Sequence, residues 1–173
     1  MIKFFWPDLY IKDIYQLDLK FIKRKKIKGL LIDLDNTLLP WNSNHVDDKL
    51  RNWIQACKDE SIALCIISNN KASRINFCSE RLDIPAVTGA VKPGKAAFLR
   101  GLKILGVKPD QAAVVGDQIF TDIFGAKRLG MFAILVKPIS DREFFWTRLM
   151  RKFERIVLRS MEKNTHNMNN KTT

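Results

Sequence analysis

The chain has 173 residues, 46% of them hydrophobic, which suits one domain with a filled core. Its only histidines, His45 and His166, lie too far apart for a histidine-based metal centre, and Cys57, Cys65 and Cys78 form no CxxC pair and no disulfide framework. A net charge of +12 points to a polyanionic partner, and no apolar run nears the ~20 residues that span a bilayer.

Residues 1–28 read as a lead segment, with a short helix over Asp8–Gln16 and a second over Leu19–Lys26. Lys20, Lys23, Arg24, Lys25, Lys26 and Lys28 make its second half strongly basic. Its first residues, Met1 to Pro7, are apolar but lack a signal-peptide core and a cleavage site. With reduced cysteines, this places the chain in the cytoplasm. Gly29–Asp33 reads as the first buried strand. A helix follows near Val46–Asp59, where Leu50, Trp53, Ile54 and Cys57 recur at helical spacing. Ile62–Ile67 is a continuous apolar run, as expected of a parallel strand covered on both faces. A helix over Ala72–Leu82, a short strand over Ala86–Thr88 and a helix over Ala96–Leu105, stopped by Gly106, come next. Ala112–Val115 reads as a strand, Phe120–Leu129 as a helix and Phe132–Val136 as a strand. Residues 29–140 thus form the core. Segment 141–163 carries a basic amphipathic helix over Asp141–Met161, and 164–173 is a polar, disordered tail. Alternating strands and helices predict an α/β domain: one parallel sheet with helices on both faces.

The densest chemical signal is Asp33-Leu34-Asp35-Asn36-Thr37, directly after Leu30-Leu31-Ile32. Residues i and i+2 of an extended chain share one side, so Asp33 and Asp35 converge. Two anions that close repel unless a cation or a shared proton lies between them. With histidine scarce, a metal here takes oxygen ligands, which favours Mg²⁺. Three further polar clusters follow at strand ends: Ser68-Asn69, Lys92 before Pro93, and Asp117 with Asp122 in Gly116-Asp117-Gln118-Ile119-Phe120-Thr121-Asp122. Taken singly, these read as a helix cap, a surface lysine and a turn. Together they fall on the carboxyl edge of the sheet, where doubly wound folds bind ligands.

The four clusters, in this order, resemble the four motifs of the haloacid dehalogenase superfamily of aspartate-nucleophile phosphatases. More narrowly, Pro7-Asp8, Asp33-Leu34-Asp35-Asn36-Thr37-Leu38, Val91-Lys92-Pro93, Gly116 to Ile123 and Asp141-Arg142-Glu143-Phe144-Phe145 resemble the YqeG family. This is a capless, subclass IIIA branch, similar to mitochondrial phosphatidylglycerophosphate phosphatases. The resemblance implies a Rossmann-like core with no large cap. It implies Asp33 as the nucleophile that forms an aspartyl-phosphate, and Asp35 as the acid that protonates the leaving alkoxide and then activates water. It implies Mg²⁺ held by Asp33, by Asp35 through its main-chain carbonyl, and by Asp117. Ser68, Asn69, Thr37 and Lys92 would bind the phosphoryl group, with Asp122 supporting Lys92 or a metal-bound water.

An uncapped site suits a phosphate carried on something large. The expected function is Mg²⁺-dependent hydrolysis of a phosphomonoester, with phosphatidylglycerophosphate favoured by resemblance. The contrasting expectation is a non-enzymatic basic module that binds phosphate, RNA or membrane and keeps the acidic pocket. Segment 141–163 sets Trp146, Phe153 and Ile156 against Arg148, Arg151 and Arg155. Such a helix either packs on the sheet or lies peripherally on an anionic membrane. The Lys20–Lys28 cluster fits phosphates generally and could bind RNA.

Overall fold

A computed structural model describes residues 2–41 and 43–140. The segments expected as a terminal helix and a tail, 141–163 and 164–173, lie outside the described residues. Six strands form one sheet: β1 (Leu9–Ile11), β2 (Gly29–Ile32), β3 (Ala63–Ile67), β4 (Ala86–Val87), β5 (Ala112–Gly116) and β6 (Phe132–Val136). Their order is β1-β6-β5-β2-β3-β4, and every pair is parallel. The helices are α1 (Leu19–Arg24), α2 (Asp48–Asp59), α3 (Ala72–Leu82), α4 (Lys95–Leu105) and α5 (Phe124–Lys127).

The apolar runs explain the layering. In β2, Leu30 and Ile32 face one side and Leu31 the other, and all three are fully buried. Leu30 and Ile32 join Ile22 of α1, Leu50 and Ile54 of α2 and Ile75 of α3. Leu31 joins Phe98 and Leu102 of α4 and Ala126 of α5. Such double coverage requires strands without polar alternation. The starts of α1 and α2 are capped by carboxylates: Asp18 accepts from Lys20 N and Phe21 N, and Asp47 from Leu50 N. Each such cap is worth about 1 kcal/mol.

The lead segment corrects one expectation. Asp8–Gln16 is not helical; it forms β1 and a 3₁₀ turn, Ile14–Gln16. Strand β6 needs a partner on its outer edge, and unpaired edge N–H and C=O groups are costly when covered. β1 supplies one, in register Leu9↔Ile134 to Ile11↔Val136. Asp8 anchors it: its N–H donates to Ala133 O at 2.8 Å, its carboxylate accepts from Ala133 N at 2.8 Å, and Lys127 Nζ lies 2.7 Å away. Phe5 stacks on Phe124 with ring centroids 4.8 Å apart. The segment before α5 also differs. Ile119–Ile123 is a π-helical turn, and only Phe124–Lys127 is α-helical.

The cysteines lie in this core, unpaired by disulfides, and each is buried. Burial disfavours the thiolate and pushes Cys57 and Cys65 up to about 12. At pH 8 the reactive thiolate is therefore scarce in the folded chain. Titration with Ellman's reagent is expected to register no fast-reacting thiol in native protein and all three cysteines in denaturant. Among the described residues, no helix is long and apolar enough to cross a membrane.

Candidate active site

The chain runs from β2 outward to β3 in one direction and returns to β5 on the other side. That reversal opens a crevice at the carboxyl ends of β2 and β5. Asp33 follows β2, and its N–H donates to Val115 O of β5 at 2.9 Å. Asp117 follows β5 and is buried. A cavity of about 550 Å³ opens at this edge, with Asp33, Asp35, Ser68, Asn69 and Lys92 on its wall. Residues following β2, β3 and β4 thus meet in one place, and Gln118 and Thr121, which follow β5, complete the wall. Asp117, Asp122 and Thr37 are buried but do not line the cavity.

Lys92 organises the floor. Its Nζ donates to Asp33 Oδ1 at 2.5 Å and to Asp122 Oδ1 at 2.6 Å. Asp122 is fully buried, and its other oxygen accepts from Gln118 N at 3.2 Å. Gln118 immediately precedes the π-helical turn that carries Asp122. Such bulges recur at functional sites. Asn69 holds the Lys92 backbone from both sides: its Oδ1 accepts from Lys92 N at 2.7 Å and its Nδ2 donates to Lys92 O at 3.1 Å. The Asn69 amide is therefore committed to positioning Lys92. Ser68 Oγ accepts from Asn70 N at 3.2 Å, which turns the chain into α3.

The charges are unequal. Four carboxylates (Asp33, Asp35, Asp117 and Asp122) are buried here; Lys92 pairs with Asp33 and Asp122, and Arg74 with Asp35. Burial alone would lower the Lys92 ammonium, but Asp122 and Asp33 outweigh it and hold it above the usual lysine range. Asp33 must share that one cation. Burial pushes its carboxyl up to about 7 against the pull of Lys92, and the charges of Asp122 and Asp35 add to the rise. An excess of buried negative charge built from oxygen donors is the chemistry of a hard divalent cation. Among the described residues, no three His, Cys, Asp or Glu side chains converge as a metal-ligating group. A Mg²⁺ ion here would lean on fewer carboxylates, with main-chain carbonyl, substrate and water completing its shell.

Asp35 is held from outside the strand. Its Oδ1 accepts from Arg74 Nε at 3.1 Å and Nη2 at 2.6 Å, and its Oδ2 accepts from Asn70 Nδ2 at 2.7 Å. Neither Arg74 nor Asn70 figured among the residues expected from the sequence. Arg74 left one signal there: a cation in the first turn of a helix opposes the helix dipole, so it calls for an anionic partner. The loop after Asp35 is closed by Asn36, whose φ of 64° is a left-handed conformation that Asn tolerates better than most residues. Asn36 Oδ1 accepts from Ser140 Oγ at 2.7 Å, and Asn36 N donates to Leu39 O at 2.7 Å.

Gly116 allows Asp122 its place. A Cβ there would sit 2.2 Å from Asp122 Oδ2 and 2.6 Å from its Cβ. Gly116→Ala is expected to push Asp122 off Lys92 and to cost about 3 kcal/mol, combining overpacking with a disturbed buried pair. Chemical denaturation would measure this. A loss under ~0.5 kcal/mol would mean that Asp122 yields freely, since changes of that size are typical of uncritical surface sites.

Residues 2–84 match the family described as mitochondrial PGP phosphatase, and residues 90–138 the family described as HAD-hydrolase-like. The crystal structure of a HAD phosphatase from Thermococcus onnurineus is similar at TM-score 0.50 and 27% identity, over 58% of this chain and 51% of that one. Parallel sheet, crevice and matches together define the class, a phosphatase of the haloacid dehalogenase superfamily. The probable phosphatase YqeG of Bacillus subtilis (strain 168) is 36% identical over 164 residues, covering 95% of both chains. The chain belongs to the YqeG phosphatase family. Phosphatidylglycerophosphate phosphatase 1 of Arabidopsis thaliana is 28% identical over 91% of this chain, which spans 48% of the plant protein's length.

Proposed function

We propose that this phosphatase hydrolyses phosphomonoesters with Mg²⁺ through an aspartyl-phosphate at Asp33, and that phosphatidylglycerophosphate is its favoured substrate. The observation that carries the reading is the Asp33–Lys92 pair lining one cavity, with Asp122 buried behind Lys92 and Asp35 on the cavity wall. A simple anion-binding pocket has no use for so many carboxylates. The substrate assignment draws support from the match of residues 2–84 and from the likeness to the plant phosphatase.

Lys92 orients one Asp33 oxygen and leaves the other to attack phosphorus. The P–O ester bond breaks, and Asp35 gives its proton to the leaving alkoxide. Asp35 then takes a proton from water as that water attacks the aspartyl-phosphate, which releases inorganic phosphate and restores Asp33. Covalent catalysis divides one hard displacement into two easier ones, and an acid of this kind contributes ~10²–10⁴-fold. Lys92, the Ser68 hydroxyl and nearby main-chain N–H groups bind the equatorial oxygens; phosphoryl transfer rests largely on such positioning. Asn69 acts through Lys92, and Thr37 supports the loop behind the nucleophile. Mg²⁺, held by Asp33, Asp117 and the Asp35 carbonyl, would shield nucleophile from phosphate and stabilise transition-state charge.

An assay on soluble phosphomonoesters and on phosphatidylglycerophosphate in mixed micelles tests the reading. Activity is expected to fall at least ~100-fold in EDTA and to return with Mg²⁺. Acid-quenched enzyme should carry hydroxylamine-labile phosphate on Asp33. Tight phosphate binding with no turnover of any ester would instead favour the non-enzymatic module.

A further inference from the structure

Asn36 is buried directly behind Asp35, and its φ of 64° is a conformation that glycine adopts at far less cost. Its side chain does what glycine could not. Oδ1 accepts from Ser140 Oγ at 2.7 Å and from Trp41 N at 3.3 Å, and the main-chain oxygen accepts from Ile139 N at 3.1 Å. The chain leaving β6 is fixed in its turn, because Lys137 N donates to Ile11 O of β1 at 3.2 Å. One buried residue therefore ties the turn behind Asp35 to the exit of β6 and, through it, to β1. We propose that Asn36 is a positioning residue, whose latch to Ser140 and Ile139 keeps the main-chain carbonyl of Asp35 turned to the side of Asp117, where Mg²⁺ would bind.

Asp35 C=O and Asn36 N–H belong to one planar trans peptide and point in opposite directions. Asn36 N donates to Leu39 O at 2.7 Å, so the Asp35 carbonyl points away from Leu39. The side it faces follows from alternation. Leu34 O accepts from Leu39 N at 3.0 Å, whereas Asp33 N donates to Val115 O of β5 at 2.9 Å. Main-chain groups at 33 and 35 thus face the β5 side, and those at 34 face the other way. β5 ends at Gly116, directly before Asp117. Main-chain oxygen is an ordinary ligand of a hard cation, and the groups that orient ligands weigh on affinity nearly as much as the ligands themselves. The carbonyl can turn away only if the peptide between Asp35 and Asn36 rotates. That rotation would break the bond to Leu39 and pull Asn36 off Ile139 and Ser140. A buried amide oxygen left without donors is costly, so the latch opposes the turn.

This inference rests on the Mg²⁺ reading of the site, and its test separates the two. Titration of the full chain with Mg²⁺ by calorimetry reads affinity without turnover. Asn36→Gly keeps the left-handed turn and removes the side-chain latch, and should bind Mg²⁺ about 10-fold more weakly than the parent chain. Ser140→Ala takes one bond away from a half-buried position and should weaken binding by about 3-fold. Ser140→Thr keeps the hydroxyl and should bind as the parent does. Hydrogen exchange without metal gives a second readout: the Leu39 amide, bonded to Leu34 O, should exchange about 5-fold faster in Asn36→Gly and Ser140→Ala than in the parent and Ser140→Thr. Should Asn36→Gly fail to fold, the two Ser140 variants decide alone. Parental Mg²⁺ affinity in Asn36→Gly and Ser140→Ala would overturn the inference, even with faster exchange at Leu39, and would leave the Mg²⁺ reading standing. A parent chain that binds no Mg²⁺ would overturn both.

Discussion

Replacement of Asp33 by Asn is expected to abolish turnover while the chain stays folded. The amide keeps the size of the side chain but cannot attack phosphorus, so kcat should fall by on the order of 10⁴-fold or more. The fold survives because Lys92 retains Asp122 at 2.6 Å, so no buried cation is orphaned. Stability should respond to pH in a telling way. Burial raises Asp33 in the folded, metal-free protein to about 7, above the ~3.9 of an unfolded aspartate. Between those values the folded state binds the extra proton, so this group's contribution is full at low pH and is lost as pH rises through about 7. Asp33→Asn removes that slope. Unfolding curves at several pH values in EDTA should show the variant gaining on the parent chain as pH rises. A variant that instead loses ground to the parent as pH rises would mean that Asp33 is ionised and well compensated in the fold, and residual hydrolysis near parental levels would remove Asp33 from the nucleophile's role.

Lys92→Met is expected to damage both activity and stability. Methionine fills similar space but leaves Asp33 and Asp122 facing each other without the cation between them. Breaking a buried ion pair by removing one partner costs about 3–5 kcal/mol. At ~2–4 °C per kcal/mol for a chain of this size, Tm should drop by roughly 10–15 °C. Activity should fall ~10²–10³-fold, the usual cost of losing one donor to the transferring group. Asp122→Asn in the Lys92→Met background should recover part of the stability, because it removes one stranded charge, and none of the activity. Calorimetry of the single and double variants decides this. Additive losses would mean that Lys92 and Asp122 do not act as a pair.

Much of the core could be read along the chain. Ala63–Ile67 and Phe132–Val136 are apolar throughout, which requires cover on both faces and therefore parallel strands flanked by helices. The polar clusters stand immediately after such runs, so their place at one sheet edge followed from the alternation of strand and helix. Helix α3 was legible to the residue, since Asn69 and Asn70 end the preceding strand run and Ile75, Cys78 and Leu82 repeat at helical spacing. The lead segment was not, because Leu9-Tyr10-Ile11 has no pattern of its own and becomes a strand only where β6 offers an unpaired edge.

Local order in the chain determined where the candidate site residues stand: Asp33 and Asp35 two residues apart, and Ser68, Lys92 and Asp117 each close behind a strand. Only the tertiary structure decided which of them touch. Lys92 lies 59 residues from Asp33, and Arg74 lies 39 residues from Asp35. Periodicity speaks to neighbours within a turn or a pleat, whereas these pairings depend on strand order, on the angle at which α3 leaves β3, and on the π-helical turn that carries Asp122 beneath Lys92. The partners of a buried charge are set by the packing that excludes water around it, and that packing exists only once the sheet has closed.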